Sequence, residues 1–147
     1  MVAATDVANV FLKHAQPEVG DTVSNLKLQK LLYYAQGFHL ALNDGSPLFN
    51  EPITSWSYGP VVEEVYHKYK QYGSDSLPIP EDIDTSMFTK DQLDLIEEVN
   101  EIYGQFSALK LMQLTHSERP WQETTRNCII LPELMTAYFS TRINVNQ

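Results

Sequence analysis

The apolar positions of this chain recur mostly at intervals of three and four residues, the spacing of a helix that packs on one side. From Asp6 to Ala15, Val7, Val10, Phe11 and His14 share a face. Asp6 stands as the N-cap, and Pro17 and Gly20 end the run. The strongest pattern follows. Ser24 caps a predicted helix running through Asn43. Leu28, Leu31, Leu32, Ala35, Phe38, His39 and Leu42 form a broad apolar arc on it, with a second strip at Leu26, Tyr33, Gly37 and Leu40. Lys27, Gln29, Lys30 and Gln36 make narrow polar lines between the two. A helix apolar on most sides is buried on most sides, so this is the central helix.

Asn43-Asp44-Gly45-Ser46-Pro47 is a turn. Leu48-Phe49 and Ile53-Thr54-Ser55-Trp56 read as two short strands joined through Asn50-Glu51-Pro52. Tyr58-Gly59-Pro60 then opens a helix with Pro60 in its first turn. Val61, Val62, Val65, Tyr66, Tyr69 and Tyr72 line its inner face, and Glu63–His67 and Glu64–Lys68 are spaced to pair outside. Gly73 stops it, and Ser74 to Ser86 is an acidic loop. Thr89 and Gln92 have capping-box spacing for a helix ending near Tyr103, with Leu95, Ile96, Val99, Ile102 and Tyr103 on its buried side. Ser107 caps a short helix from Ala108 to Thr115, Pro120-Trp121 begins another turn, and residues 131–139 form an amphipathic helix. The expected fold is mainly α: one compact helical domain over residues 1–147, of about six to seven helices with one small β-hairpin and a flexible tail after Ile143.

Composition narrows the function. Cys128 is the only cysteine, which excludes an internal disulfide and a multi-cysteine zinc site. The N-terminal residues lack a basic patch followed by an apolar run, and no segment approaches a membrane span, so the expected location is the cytoplasm and no membrane partner is expected. The net charge is −9, and nine acids face only Lys90 between Gln71 and Leu109. Such a field repels phosphates and attracts basic proteins, which makes nucleic acid an unlikely partner for this chain by itself.

The usual catalytic arrangements are missing: there is no Gly-rich phosphate loop, His-Glu-x-x-His or Gly-x-Ser-x-Gly. His14, His39, His67 and His116 are scattered, and His39 falls inside the apolar arc as a hydrogen-bonded core residue. His116-Ser117-Glu118 offers two metal ligands without a matching cluster. Cys128 reads as buried and inert. Glu63-Glu64 and Glu97-Glu98 splay apart on their helices instead of converging. A helix-turn-helix at Ser107–Arg126 has only Arg119 and Arg126 in its second element, thin for phosphate contacts. The expectation is a non-enzymatic protein without cofactor or metal.

The run Ser24-Asn25-Leu26-Lys27-Leu28-Gln29-Lys30-Leu31-Leu32-Tyr33-Tyr34-Ala35-Gln36-Gly37 resembles the signature helix of the Panacea domain of SocA-like antitoxins and GepA-type phage-associated proteins. The resemblance continues through Pro47-Leu48-Phe49, Ile53, Trp56-Ser57-Tyr58-Gly59-Pro60-Val61-Val62 and Val65-Tyr66, and resumes at Leu114-Thr115-His116 and Pro120-Trp121. It implies a type II antitoxin that neutralises a cognate protein toxin, encoded next door, by direct contact. Family members pair with unrelated toxins, so the resemblance leaves the toxin open. The resemblance also leaves two alternatives: an adaptor presenting its partner to a ClpXP-type protease, or a phage-associated transcriptional regulator. The chain matches the bare domain, without an added DNA-binding module.

For a binding protein the candidate partner-binding residues are Trp56, Tyr58, Gly59 and Pro60 at the junction, with Trp121, Lys27 and Lys30. The acidic residues Asp94, Glu97, Glu98 and Glu101 join them. Each group has a plainer reading beside it. The aromatics also suit a core, the lysines either line a groove or snorkel, and the acids also suit a solvated helix face.

Overall fold

The computed structural model describes residues 2–143, so the expected tail after Ile143 lies outside the described residues. Seven helices and one two-stranded hairpin succeed one another: α1 (Ala4–Lys13), α2 (Asn25–Leu42), β1 (Thr54–Trp56), β2 (Gly59–Val61), α3 (Glu63–Tyr69), α4 (Lys90–Tyr103), α5 (Ala108–His116), α6 (Arg119–Gln122) and α7 (Pro132–Ile143). The mainly α expectation holds.

α2 is the axis. Leu28, Leu31, Leu32, Tyr33, Tyr34, Ala35 and Leu40 are all essentially inaccessible, and α1, α3, α4, α5, α7 and the hairpin pack around it. Its tightest neighbour is α7. Gly37 faces the ring of Phe139 so closely that an added Cβ would stand only 2.1–2.5 Å from three of its ring carbons. A glycine there lets the two helices approach to ring contact, and Phe139 meets Tyr33 and Phe38 edge-on at 5.4 and 4.9 Å between centroids.

The helix starts follow local chemistry. Ser24 accepts from the Lys27 N–H at 3.3 Å, and Ser107 accepts from that of Lys110 at 3.1 Å. Thr89 and Gln92 close the predicted capping box at 3.1 and 2.9 Å. α1 differs. Its N-cap is Ala3, and Asp6 sits one turn in, accepting the Ala3 N–H at 3.0 Å.

The hairpin is displaced from its expected position by several residues. β1 pairs antiparallel with β2 in the register Thr54–Val61, Ser55–Pro60, Trp56–Gly59. Leu48 and Phe49 join no strand, because the Gln36 side chain accepts both of their N–H groups and donates to the Phe49 carbonyl. Pro60, expected in a first helical turn, lies in β2, and α3 begins only at Glu63. Ser55 turns its own N–H and carbonyl outward, to Cys128 and Asn127 at 2.9 and 2.6 Å. The Ser55–Pro60 pair is therefore a non-hydrogen-bonded one, where the N–H that proline lacks is not needed.

The 127–130 segment lies along the free edge of β1, with Ile130 N–H also reaching Ile53 O at 2.8 Å. That placement leaves Cys128 exposed, against the expectation of a buried thiol. Glu63–His67 and Glu64–Lys68 do not form ion pairs. Those made among the described residues are Lys90–Asp94 and Arg119–Glu123, both exposed.

Candidate functional site

The polar residues of α2 are buried, and they tie backbone from the surrounding segments to the central helix. Asn25 donates to the Tyr66 carbonyl at 3.0 Å and accepts from Gln29 at 2.9 Å. Gln29 in turn accepts the Val62 N–H at 2.9 Å. Lys27 donates to the Gly104 carbonyl at 2.6 Å, and Lys30 to the Pro60 carbonyl at 3.1 Å. Buried polar groups need such partners, and loop and strand ends supply them. Lys30 therefore neither lines an open groove nor snorkels, whereas Lys27, although buried itself, borders an open hollow of about 740 Å³ together with Asp21, Asn100 and Gly104. Burial pulls the Lys27 ammonium below its ordinary value, partly opposed by Asp21. It brings Lys30, which is wholly enclosed, down to about 7.

Gly59 explains why the junction needs its residue types. Its φ is +108°, and a Cβ there would stand 2.7 Å from Lys30 Cε and 2.9 Å from Thr115 Oγ1. Only glycine takes that backbone angle without strain and leaves room for the lysine stem. Around it, the Trp121 indole donates to the Trp56 carbonyl at 2.8 Å. His116 stacks on Trp121 with centroids 3.9 Å apart, and the Arg126 guanidinium lies over the same ring at 3.6 Å. Arg126 also donates to Ser55 Oγ and the Trp121 carbonyl. Burial lowers the pKa of His116, a backbone hydrogen bond at Ser57 opposes that, and Lys30 and Arg126 lower it further. Its Nε2 is buried without a hydrogen-bond partner.

Of the junction residues, Gly59 and Pro60 are buried. Trp56 and Trp121 are half-buried. Trp56 packs edge-on against Tyr66 at 4.9 Å. Tyr58 alone projects, 64% exposed at the tip of the hairpin turn. It borders a mainly apolar cleft of about 430 Å³ whose other walls include Leu26, Trp56, Val61 and Tyr66. The structure thus brings Trp56 and Tyr58 to one opening, whose lining does not include Lys27, Lys30, Gly59 or Pro60.

The acidic set lies elsewhere. Asp94, Glu97, Glu98 and Glu101 are all exposed along α4, a helix carrying five carboxylates and one lysine. Asp94 and Glu98 sit by the C-terminal half of α2, whereas Glu101 shares a hollow with Ser24 and Lys27 at its N-terminal end. Gln29 lies at the cleft and Leu42 beside α4, about 20 Å apart along the helix axis.

Glu118, which the sequence offered only as a metal ligand beside His116, has a different role in the fold. It is buried and accepts from the hydroxyls of Tyr33 and Tyr34, each at 2.9 Å. Burial raises its pKa, and the two tyrosines draw it part of the way back. Two adjacent tyrosines on an otherwise apolar helix were the available signal, since buried phenols need an acceptor. Among the described residues no three His, Cys, Asp or Glu side chains converge as a metal site, and no helix is long and apolar enough to cross a membrane.

A family model described as Antitoxin SocA-like, Panacea domain matches residues 28–122, from the first turn of α2 to the end of α6. Antitoxin SocA of Caulobacter vibrioides (strain NA1000 / CB15N) is similar at 34% identity over 131 residues, covering 82% of this chain and 69% of that protein. No solved structure matches the chain.

Proposed function

Because the chain belongs to the SocA-like antitoxin family that carries the Panacea domain, we propose that it neutralises a protein toxin by binding it directly. The observation that carries this reading is the family match itself, which spans the central helix, the hairpin and the junction. The surface is consistent with protein binding. Tyr58 stands out from the hairpin beside an apolar cleft, and aromatic residues of this kind anchor interfaces when a partner removes them from water. The buried polar contacts of α2 support it from within, because they hold the turn that presents Tyr58. The net charge of −9 favours a partner with a basic surface and disfavours nucleic acid.

The test is growth rescue. The adjacent reading frame is expressed alone, then together with this protein, and the pair is purified through a tag on one member. Toxicity relieved by a stable complex supports the reading, and Tyr58→Ala should then weaken the complex while leaving thermal stability nearly unchanged. Relief that requires a ClpXP-type protease would move the reading from occlusion to delivery. A harmless neighbour that forms no complex would sink it.

A further inference from the structure

The buried side expected for α4 is incomplete. Ile96 and Val99 are sealed, but Ile102 is 47% exposed, and across from it Leu42 at the end of α2 is 57% exposed. Between them runs a groove of about 470 Å³, walled by α2, α4 and the end of α7, with Phe38, Leu95 and Tyr103 along its floor and sides. Leu42, Leu95 and Glu98 also line a second hollow of about 660 Å³ that continues toward Thr89 and contains Asp91 and Asp94. The two hollows form one trough, apolar toward Tyr103 and acidic toward Thr89.

The charge around the trough is net negative at its open end. Glu98 and Asp91 line it without an ion-pair partner, and Lys90 offsets a third lining carboxylate, Asp94, at 2.8 Å. Arg142 lies at the apolar end, lining the same groove as Tyr103. The C-terminus of α2, at Leu42–Asn43, borders the acidic hollow and adds partial negative charge. An apolar floor under an acidic rim suits an amphipathic segment whose polar face is basic, the groove-and-helix mode in which residues at i, i+3, i+4 and i+7 make the contacts. A second copy of this chain would bring the same carboxylates against one another, which like-charge repulsion opposes.

We infer that the α2–α4–α7 trough is a docking groove for a basic amphipathic segment of a protein partner, seating apolar side chains on Phe38, Leu42 and Ile102 and lysines or arginines against Glu98 and Asp91. The inference rests on the toxin-binding reading only for what kind of protein supplies the segment. It gives the partner contact a second surface, remote from Tyr58.

Two synthetic amphipathic peptides of about 15 residues, long enough to hold some helix, test the groove without a toxin. They share leucines at i, i+3, i+4 and i+7 and differ in carrying lysine or glutamate on the polar face. Each is titrated into the full-length isotope-labelled protein and followed by amide shifts. The lysine peptide should perturb the amides of Phe38, Leu95 and Ile102. Its binding should weaken by about tenfold or more in both Glu98→Lys and Ile102→Asp, two exposed sites whose variants are first checked for unchanged melting. Equal binding of the glutamate peptide, shifts confined to other surfaces, or no shifts at all would overturn the proposal. So would sedimentation showing a dimer that Ile102→Asp dissociates, since a second copy would then occupy the groove. In the co-expression assay, full rescue by Glu98→Lys and Ile102→Asp would refute the groove as a toxin contact and leave the antitoxin reading standing. Failure of the wild type to rescue would refute that reading, with the peptide result deciding the groove.

Discussion

Replacing Lys30 with methionine isolates the energetic consequence of an enclosed ammonium. The side chain is inaccessible, its one hydrogen bond goes to the Pro60 carbonyl at 3.1 Å, and burial brings its pKa from 10.5 to about 7. Between those values the folded protein holds fewer protons than the unfolded chain, so stability rises with pH across the window. Below it, the desolvated charge opposes folding by roughly 5 kcal/mol relative to the neutral amine. Methionine fills the same space and does not titrate. The difference in unfolding free energy, wild type minus Lys30→Met, should therefore grow by roughly 2–3 kcal/mol between pH 6 and pH 9. Urea titrations read by the fluorescence of Trp56 and Trp121 give both curves, and taking the difference removes groups common to the two proteins. Interference within that window is small, because His116 is held below its ordinary range and the buried Tyr33 and Tyr34 hydroxyls above theirs. A difference that stays constant from pH 6 to pH 9 would show that the folded protein keeps the ammonium charged, and the desolvation argument would be wrong.

Gly37→Ala should lose stability despite its gain of about 1 kcal/mol in helix propensity. The new methyl must displace the Phe139 ring, for a net loss of roughly 2 kcal/mol or more in urea unfolding. An unchanged midpoint would mean that α7 does not pack there in solution. Glu118→Ala should cost roughly 3 kcal/mol, because it strands the buried hydroxyls of Tyr33 and Tyr34. Adding Tyr34→Phe to that variant should recover part of the loss, and calorimetry on the three proteins checks it. Cys128, being exposed, should react with a thiol reagent in the native protein within about tenfold of the rate of a free cysteine; protection until urea is added would place it in the interior after all.

What the sequence revealed and what it concealed differ by physical cause. α2 was legible because apolar spacing over many turns leaves little choice, and the caps at Ser24, Thr89 and Ser107 because the bonding partner lies three residues away. The hairpin was misplaced because its determinants are remote. Gln36 takes the backbone donors of Leu48 and Phe49, and Cys128 and Asn127 occupy the outer edge of Ser55. Neither relation leaves a trace in local alternation. The polar lines of α2 look the same in sequence whether they meet water or a buried carbonyl, and only the folded loops show that Gln29, Lys30 and Gln36 are internal connectors. Of the binding candidates, the exposed acids of α4 and Tyr58 were placed at the surface. Gly59 and Pro60 are buried and shape the turn that carries Tyr58.

The contact between Gly37 and Phe139 also sets when the protein becomes itself during synthesis. The two positions are separated by most of the chain, so α2 leaves the ribosome long before the ring that packs against it. At about 5–20 residues per second, that interval is roughly 5–20 s. Throughout it the apolar surface of α2 has no α7 to cover it, and a chain halted before Pro132 never acquires that cover. Translation speed and nascent-chain protection therefore bear on the supply of the folded protein as directly as its equilibrium stability does.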